Sequence, residues 1–342
     1  MGKILDICTE HVIPFKTLFE GLKDILNDTN IEVTGDEIID NIENSDSETD
    51  SENNNDSGDS ENSENSVDSN KESNKKKKSK PVKKKSSKKQ ENKKNGGIKI
   101  VATDSTKTLL INVKLDAKQF NKFICKKKVI DLGINLVQFH KLIKSLDKDD
   151  TLNMYMNEED KQNLILKVSN PEKRYETTYK LKLMEINKTQ FNIPETKFDA
   201  IITFETAEFH RICREMSHIA EHIEIKCTKN TITYSCKGDC SERSTTFYVD
   251  EQGVKIRFGK KSPEIVQGIF ELKNLVLFSK YSNLCGNIQI FMKNNFPLCI
   301  NYTVATLGKM FFCLTPIRED DIMENFSDED DDYEYEEVKY KN

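Results

Sequence analysis

The sequence contains no tryptophan, and aromatic residues make up 8% of its 342 positions. It also lacks a run of about 18 apolar residues, the length that a membrane-spanning helix requires. Its first residues do not show the charged-then-apolar pattern of a secretory signal. We therefore expect a soluble, non-secreted protein with modest hydrophobic cores and no membrane partner. A chain of this length has room for two such domains.

Motifs for nucleotide and hydrolytic chemistry are missing as well. The sequence contains no GxxxxGK(S/T), no GxGxxG and no GxSxG, so phosphate-cradling loops and serine hydrolase sites have no support. The nine cysteines are scattered, odd in number and form no CxxC pair. That pattern is more typical of buried reduced thiols than of a disulfide framework. We expect no enzymatic activity and no cofactor.

Two short motifs leave a metal site as a minor alternative. His218, Glu221 and His222 spell HxxEH, the pattern with which inverted zinc peptidases hold zinc and a general base. No third ligand is evident from the sequence. Cys236 and Cys240 would need two further ligands, and nothing nearby in the sequence supplies them. We therefore predict no metal, and a metallopeptidase remains the least favoured alternative.

Charge is distributed unevenly along the chain. Residues 36–68 carry 13 acids and no basic residue, residues 71–94 carry 13 lysines, and residues 319–342 carry 12 acids. Such segments bury too little apolar surface to fold, so an insertion at 36–95 and the acidic tail at 319–342 are predicted to be disordered. The lysine run has the composition of a nuclear import signal or a DNA tether. The remaining chain has 37 basic and 31 acidic side chains, so its folded part is basic although the whole chain has a net charge of −6.

Four segments have apolar residues at helical spacing on one side and basic residues on the other. In residues 204–223, apolar side chains recur at i, i+3, i+4 and i+7 from Phe209, while Arg211 and Arg214 point elsewhere. Comparable patterns occur in residues 14–27, 136–146 and 272–284. With the 59 residues of the low-complexity block left out, successive helices are 65, 70 and 63 residues apart. This spacing indicates a divergent internal repeat.

Alternating apolar residues predict many short strands between these helices. The predicted strands are 1–10, 31–34, 98–102, 110–115, 151–156, 163–168, 178–184, 222–228, 231–235, 244–249, 253–258, 265–271, 287–292, 297–303 and 308–314. Alternation stops between residues 183 and 202, where Pro194 is incompatible with a central strand. We therefore predict an N-terminal domain at 1–182, an extended connector at 183–200 and a C-terminal domain at 201–318. Many strands with few helices favour an α+β fold with antiparallel sheets and the helices on one face.

Five stretches of the sequence also occur in a recognisable order. They are GINLVQFHKLIK, YKLKLMEIN followed by FNIPE, FHRICREMSHI, FELKNLVLFSKYS and PLCINYTVATLGKMFFCLTPI. In this order and at this spacing they resemble the eukaryotic and archaeal DNA sliding clamp family, proliferating cell nuclear antigen (PCNA). The resemblance covers essentially everything outside the insertion and the tail. It implies two similar clamp domains, with antiparallel sheets outside and four helices lining a concave face.

The resemblance also implies a function without catalysis. A homotrimer would close head to tail around double-stranded DNA, hold a DNA polymerase and other replication or repair proteins that carry a clamp-binding motif, and be opened by a clamp loader. The alternative is one subunit of a heterotrimeric checkpoint-type clamp. The expected location is the site of DNA replication, in a nucleus or a cytoplasmic viral factory. The abundance of Lys, Asn and Ile is typical of an AT-rich genome, such as that of some protists and large DNA viruses.

Matching the family position by position implies three sets of site residues. The DNA-facing set is Lys23, Lys141, Lys144, Lys182, Arg211, Arg214, Lys273 and Lys280. The partner-binding set, beneath the connector, is Leu110, Phe191, Ile193, Pro194, Phe198, Pro297, Cys313 and Pro316. The subunit-interface set, where 174–182 and 239–247 would pair, is Tyr179, Lys180, Asp239 and Arg243. The alternatives are an ordinary solvated face for the basic residues and simple core burial for the apolar ones.

Three positions depart from the family pattern. Thr17 occupies a place where the family often has a basic residue. Phe191 is bulkier, and Cys313 smaller, than the residues that the family usually presents. The resemblance therefore implies a reshaped partner pocket and a client motif adapted to it.

Overall fold

The computed structural model describes residues 2–35, 96–187, 191, 196–250 and 253–317. The predicted insertion at 36–95, the predicted tail at 319–342 and the connector positions Ile193 and Pro194 lie outside these ranges. None of the helices within them has the length and apolar composition needed to cross a membrane. The predicted domain boundaries at 182 and 200 remain predictions.

The described ranges contain four α-helices, two 3-10 turns and eighteen strands. The helices are α1 Val12–Leu22, α2 Leu136–Ile143, α3 Thr206–Met216 and α4 Leu272–Leu277, and the 3-10 turns are Ala117–Gln119 and Phe278–Tyr281. The strands are β1 Lys3–Thr9, β2 Asp28–Thr34, β3 Gly97–Thr103, β4 Leu109–Asp116, β5 Lys122–Cys125, β6 Val129–Asn135, β7 Thr151–Asn157, β8 Asn163–Asn170, β9 Tyr175–Lys182, β10 Ala200–Glu205, β11 His222–Cys227, β12 Thr231–Lys237, β13 Glu242–Tyr248, β14 Lys255–Phe258, β15 Val266–Glu271, β16 Asn287–Met292, β17 Leu298–Val304 and β18 Gly308–Leu314.

The order of these elements repeats four times. Each helix follows one strand and precedes three: β1-α1-β2-β3-β4, β6-α2-β7-β8-β9, β10-α3-β11-β12-β13 and β15-α4-β16-β17-β18. The extra strands β5 and β14 occupy equivalent places, each after the first unit of its half. The internal repeat inferred from helix spacing therefore corresponds to a repeated strand-helix-strand unit.

The strands form three sheets, and every ladder between named strands in the described ranges is antiparallel. Their orders are β5-β1-β7-β8-β9, β14-β10-β16-β17-β18-β4-β3-β2-β6 and β13-β12-β11-β15. The nine-stranded sheet joins the two halves of the chain where β18 pairs with β4. The predicted α+β class with antiparallel sheets is confirmed.

Apolar residues alternate along the strands and recur every three or four residues along the helices, so both present one face to a shared core. In β7 the buried residues are Leu152, Met154 and Met156, which point to the same side because successive strand residues face opposite ways. In α1, Phe15 and Phe19 pack against each other with ring centroids 4.7 Å apart. Burying one such ring contributes about 2–3 kcal/mol. The core holds the helices against the sheets and fixes which helix faces remain exposed.

Several element boundaries differ from those expected. The pattern in 204–223 suggested one helix, but Phe204 is the last inward-facing residue of β10, and the helix begins at Thr206 and ends at Met216. Strand alternation and helical spacing overlap at this junction because both place an apolar residue at Phe204. Strand β9 begins at Tyr175, three residues earlier than predicted. The four-residue strand β5 was not predicted.

Candidate nucleic-acid interface and partner-binding surface

The four helices lie in a row. Helix α2 contacts α1, α1 contacts the 3-10 turn after α4, and α4 contacts α3. Gly21 allows the contact between α1 and this turn, because a Cβ atom at that position would lie within the ring of Tyr281. The absence of a side chain therefore lets the first and last helical segments approach closely. Basic residues from opposite ends of the chain are brought together as a result.

Asp24 lies at this junction between two predicted DNA-facing lysines. Lys23 Nζ donates to Asp24 Oδ1 at 2.7 Å, and Lys280 Nζ donates to Asp24 Oδ2. Partial burial opposes ionisation of the carboxyl, but the hydrogen bonds from Lys23 and Lys280 outweigh it and lower the pKa of Asp24. One negative charge therefore offsets one of two positive charges. The junction keeps a net positive charge.

Among the described residues, no carboxylate pairs with the lysines at the end of helix α2. The Asn135 side chain accepts from the Gln138 backbone N–H at 2.9 Å and caps the helix start. Lys141 lies in the last turn and Lys144 follows it, both exposed, where the helix dipole favours positive charge. Within the described ranges neither lysine forms an ion pair. Both ammonium groups are therefore available to an anionic ligand.

Helix α3 carries the same kind of basic residue in a different setting. Arg211 donates from Nε to Glu208 at 3.0 Å and from Nη1 to both carboxylate oxygens of Glu215 at 2.9 Å. The hydrogen bonds that it donates to Glu208, and then those to Glu215, raise the pKa of the Arg211 guanidinium. Arg243 also binds Glu215, at 2.7 Å. Arg211 is therefore already occupied on its own helix.

Arg214 is the other basic residue of α3 in the predicted set. It is exposed, and its Nε lies 3.4 Å from the carbonyl oxygen of His210. No carboxylate pairs with it in the part of the chain that the structure describes. Lys273 and Lys182 complete the predicted DNA-facing set. Lys273 resembles Arg211, because it pairs with Glu271 at 3.1 Å. Lys182 resembles Arg214: it is exposed at the end of β9 and has no ion pair among the described residues.

A buried hydrogen bond anchors α3 beneath these side chains, and the sequence reasoning did not identify it. His210 Nε2 lies 2.8 Å from the hydroxyl oxygen of Tyr302, and both residues are buried. Burial, with a smaller contribution from Arg214, lowers the pKa of His210 to about 4. The imidazole is therefore neutral near pH 7 and serves to position the helix rather than to bind phosphate.

The partner-binding residues lie partly on one face of the nine-stranded sheet. Ladder partners Phe291, Cys299, Cys313 and Leu110 follow one another across β16, β17, β18 and β4, and directly opposed residues share a face. Phe198 packs on Phe291 with ring centroids 5.4 Å apart. We define the apolar strip as these residues together with Phe311, which lies two positions before Cys313 on the same face of β18: Leu110, Phe198, Phe291, Cys299, Phe311 and Cys313.

Three strip residues were not predicted from the sequence: Phe291, Cys299 and Phe311. Their signal is the strand alternation itself, because Phe291 and Phe311 face away from the fully buried residues of β16 and β18. Predicted partner residues Pro297 and Pro316 are half-buried. Phe191 instead lines a groove over β2 and β3 with Lys99 and Thr103. The structure therefore assembles part of the predicted set and places Phe191 beside it.

Two strands with exposed backbone edges carry the predicted subunit-interface residues. Strand β9, with Tyr179 and Lys180, ends the five-stranded sheet, and β13, with Arg243, ends the four-stranded sheet. Asp239 is exposed in the connection that leads into β13. By the fourfold repeat, β9 and β13 are equivalent to β18 and β4, which pair with each other inside the chain. Strands β9 and β13 therefore correspond to the two partners of an existing strand pair, but each lies at the edge of a different sheet.

The HxxEH motif does not form a helical metal site. His218 follows the end of α3 and His222 begins β11, so the two histidines do not share one helix face. Cys236 is buried in β12, whereas Cys240 is exposed in the following turn. In the ranges that the structure describes, no three His, Cys, Asp or Glu side chains come together as a metal-binding group.

Comparisons with known families match nearly all of the chain outside the first 74 residues and the acidic tail. The family model for the N-terminal domain of proliferating cell nuclear antigen matches residues 75–190. The model for the C-terminal domain of the same antigen matches residues 192–317. The junction between these two matches falls inside the predicted connector.

Individual relatives agree with the family models. A probable DNA polymerase sliding clamp of Acanthamoeba polyphaga mimivirus is 33% identical over 224 residues, which are 65% of this chain and 47% of that protein. The chain thus spans about half the length of this relative. Probable DNA polymerase sliding clamp 1 of Paramecium bursaria Chlorella virus 1 is 29% identical over 65% of this chain and 84% of its own. Proliferating cell nuclear antigen of Chaetomium thermophilum is 30% identical over 66% of this chain and 88% of its own.

A solved structure has the same fold. The crystal structure of proliferating cellular nuclear antigen from Entamoeba histolytica aligns with a TM-score of 0.68 at 22% identity. The alignment covers 93% of this chain and all of the other. At this identity the match bears on the fold.

Proposed function

The chain belongs to the proliferating cell nuclear antigen family of sliding clamps, and from this premise we propose that it encircles duplex DNA as one subunit of a closed ring. The ring is a DNA polymerase processivity factor. Its role is topological: it keeps a bound polymerase near the primer end and so raises the local concentration of that enzyme.

The observation that carries ring closure is the equivalence of β9 and β13 to the paired strands β18 and β4. An exposed edge offers a row of unpaired N–H and C=O groups, and pairing two such edges in different chains is β-augmentation. Because β9 and β13 are different surfaces, the contact is heterologous and generates a ring when the rotation closes. We propose that three chains close this ring, with Tyr179, Lys180, Asp239 and Arg243 at each boundary.

The basic residues of the helix row suit DNA that must be held without being read. Lysine and arginine contacts to phosphate are independent of sequence, whereas base-edge contacts would stop the ring at particular sites. Lys141, Lys144, Lys182 and Arg214 are the side chains that carry this role, supported by the net positive junction of Lys23, Asp24 and Lys280. Arg211 and Lys273 contribute less because carboxylates already bind them.

The apolar strip is the proposed docking site for clients. A short client segment with aliphatic and aromatic anchors would bury its side chains against Leu110, Phe198 and Phe291 and displace water from them. A small residue, Cys313, lies between these larger side chains. The clients include a DNA polymerase, and a clamp loader opens the ring at the site of DNA replication.

The test is a comparison of two DNA templates. On a primed circle, which has no ends from which the ring could slide off, the loaded protein should convert short products of a cognate polymerase into long ones. On a linear template with open ends the same protein should give little stimulation, because the ring slides off. Equal stimulation on both templates would overturn encirclement.

Light scattering after size-exclusion chromatography tests the subunit count. The expected mass is three times the 39.5 kDa of one chain. A chain that remains monomeric at concentrations of tens of micromolar would instead favour the heterotrimeric alternative.

A further inference from the structure

Two cysteines face each other across neighbouring strands in the centre of the apolar strip. Cys299 of β17 is directly opposite Cys313 of β18, and their Sγ atoms lie 2.7 Å apart. Both are free thiols. All nine cysteines lie in the described ranges, and no other two of them oppose each other in a strand ladder there.

The strand geometry already satisfies the requirements of a disulfide. Directly opposed residues of an antiparallel pair have Cα atoms about 4.5–5.5 Å apart, which lies inside the range of about 4.4–6.8 Å seen for disulfides. Bond formation brings the sulfur atoms to about 2.05 Å, and a small side-chain rotation suffices for that. The register is fixed by the short loop 305–307, where Ala305 has a positive φ of 45°.

We propose that Cys299 and Cys313 form a redox site, in which a reversible disulfide closes across β17 and β18 by exchange with a small disulfide such as oxidised glutathione. The Cys313 thiolate attacks one sulfur of glutathione disulfide and releases one glutathione thiolate. Cys299, after losing its proton, attacks Cys313 and releases the second glutathione. The protein loses two electrons and two protons, and the glutathione disulfide gains them as two thiols.

The two cysteines differ in the way that this order of attack requires. Cys299 is 7% exposed, whereas Cys313 is half-buried and more open to a small oxidant. The hydrogen bond between the two thiols lowers the pKa of Cys313, against the effect of burial. The same hydrogen bond, together with burial, raises the pKa of Cys299. Cys313 is therefore the attacking thiolate, and Cys299 is the resolving thiol.

A metal is a poorer match for this pair. Structural zinc takes four ligands, and no third His, Cys, Asp or Glu joins the two sulfur atoms among the described residues. The surroundings are apolar, since Phe291 is the ladder partner of Cys299 and Leu110 that of Cys313. Two thiols in such a place can exchange with a disulfide without an additional charged group.

The full-length chain can be tested directly, because trypsin separates the two cysteines. Cleavage after Lys293, Lys309 and Arg318 gives peptides 294–309 and 310–318, each with one cysteine. After incubation with oxidised glutathione and blocking of free thiols, we expect one species in which these peptides are joined with the loss of two hydrogen atoms. The titratable thiols of these two peptides together should fall from two to none. Reduced dithiothreitol should reverse both changes.

Single substitutions provide the controls. In C299S, Cys313 should accumulate as a stable mixed disulfide with glutathione, because the resolving thiol is absent. In C240S, which lacks an exposed cysteine far from the strip, the joined peptides should still form. Unmodified peptides 294–309 and 310–318 in a chain whose Cys240 has reacted would overturn the proposal. So would a mixed disulfide at Cys313 that persists in the wild-type chain.

The consequence for clients rests on the proposed function of the strip. Closing the bridge removes two thiols and fixes the Cys313 side chain, so a synthetic peptide with one aliphatic and two aromatic anchors should bind the oxidised and reduced forms with different affinities. The C299S/C313S variant should show one affinity under both conditions. If the peptide binds neither form, the docking site is wrong, while the joined tryptic peptides still decide the redox site. Equal affinities of the reduced form and the fully bridged form would show that the disulfide forms but does not affect client binding.

Discussion

Helices α2 and α3 begin from nearly the same local sequence and present different surfaces. Phe139-His140-Lys141 in α2 matches Phe209-His210-Arg211 in α3, seventy positions later, and in each helix the phenylalanine is the fourth residue. Both phenylalanines are buried and both basic side chains are exposed. The backbone therefore delivers each basic residue to an equivalent place in the repeat.

The surrounding carboxylates make the difference. Glu208 and Glu215 bind Arg211, whereas the matching positions of α2 are Gln138 and Ser145. Glu208 also lies in the first turn of its helix, where a negative charge stabilises the helix dipole. The comparison teaches that basic residues at equivalent helical positions can differ in availability, because the carboxylates of its own helix already bind Arg211.

The histidines extend the comparison into the core. His210 is buried against Tyr302, whereas His140 is half-buried and its pKa is lowered by burial and by Lys23. On its buried side, helix α3 is held by the neutral imidazole of His210. On its exposed side, ion pairs join its own side chains. Helix α2 has exposed lysines, and its histidine is only half-buried.

The largest expected effect is the response of the buried histidine to acid. An unfolded histidine binds its proton near pH 6.5, and the folded chain binds it at His210 only near pH 4. The unfolded state therefore holds more protons in this window, and the free energy of unfolding falls as the pH is lowered through it, by about 3 kcal/mol from this group. Urea unfolding of the wild-type chain and H210N should show that the variant loses less stability. H140N is the matched control, with a smaller change; identical pH profiles for wild type and H210N would contradict the assignment.

The next effect concerns Lys141 and Lys144 of α2, which have no ion-pair partner in the part of the chain that the structure describes. Each phosphate contact contributes about 0.9 to the slope of log affinity for duplex DNA against log salt. K141A/K144A should therefore reduce that slope by about 2, measured by fluorescence anisotropy with a short duplex. The matched variant R211A/R214A should reduce it by about 1, because Arg211 is already paired. Equal reductions in the two variants would show that the carboxylates of α3 do not matter.

A smaller change should appear when α3 is converted to the surroundings of α2. In E208Q/E215S, Arg211 loses both carboxylate partners and becomes available to phosphate, so the salt slope should increase by about 1. The reciprocal variant Q138E/S145E should reduce the slope by a similar amount, since the new carboxylates flank Lys141. A decrease in E208Q/E215S would indicate that the glutamates position Arg211 for DNA rather than withhold it.

The smallest effect is expected from Arg211 alone. R211A should change the salt slope by much less than about 1 unit, and the free energy of unfolding by less than about 1 kcal/mol, because exposed ion pairs contribute little. The two quantities are measured by the same anisotropy and urea experiments. A loss as large as that in K141A would place Arg211 among the principal phosphate ligands.

The fold could be predicted from the sequence because its signals are local and repeated. The apolar spacing around Phe15, Phe139 and Phe209 and the alternation in the strands depend only on near neighbours, and the repeat supports each instance with three others. Helix ends were less predictable, since Phe204 satisfies both a strand and a helix pattern. The short strand β5 has too few residues for alternation to be recognised.

The candidate sites were predictable in position and less so in chemistry. The exposure of Lys141 follows from its helix face, but the salt bridge between Lys280 and Asp24 joins residues 256 positions apart, and no local pattern indicates it. The pairing of Arg211 with Glu208 and Glu215 did have a signal in the i−3 and i+4 spacing. The contact of Cys299 with Cys313 depends on the hairpin register, which only the fold establishes.

The pairing of β18 with β4 has a consequence for how the molecule can be taken apart. The same type of strand pairing that joins the two halves of the chain would also join neighbouring chains of the proposed ring. Separating two chains would then break backbone hydrogen bonds between strands and leave the hydrophobic core of each chain intact. The backbone N–H and C=O groups that lose their strand partners would then form hydrogen bonds with water. In the proposed ring, opening one subunit boundary would therefore break only these backbone hydrogen bonds and the side-chain contacts beside them, and the boundary could close again without refolding of either chain.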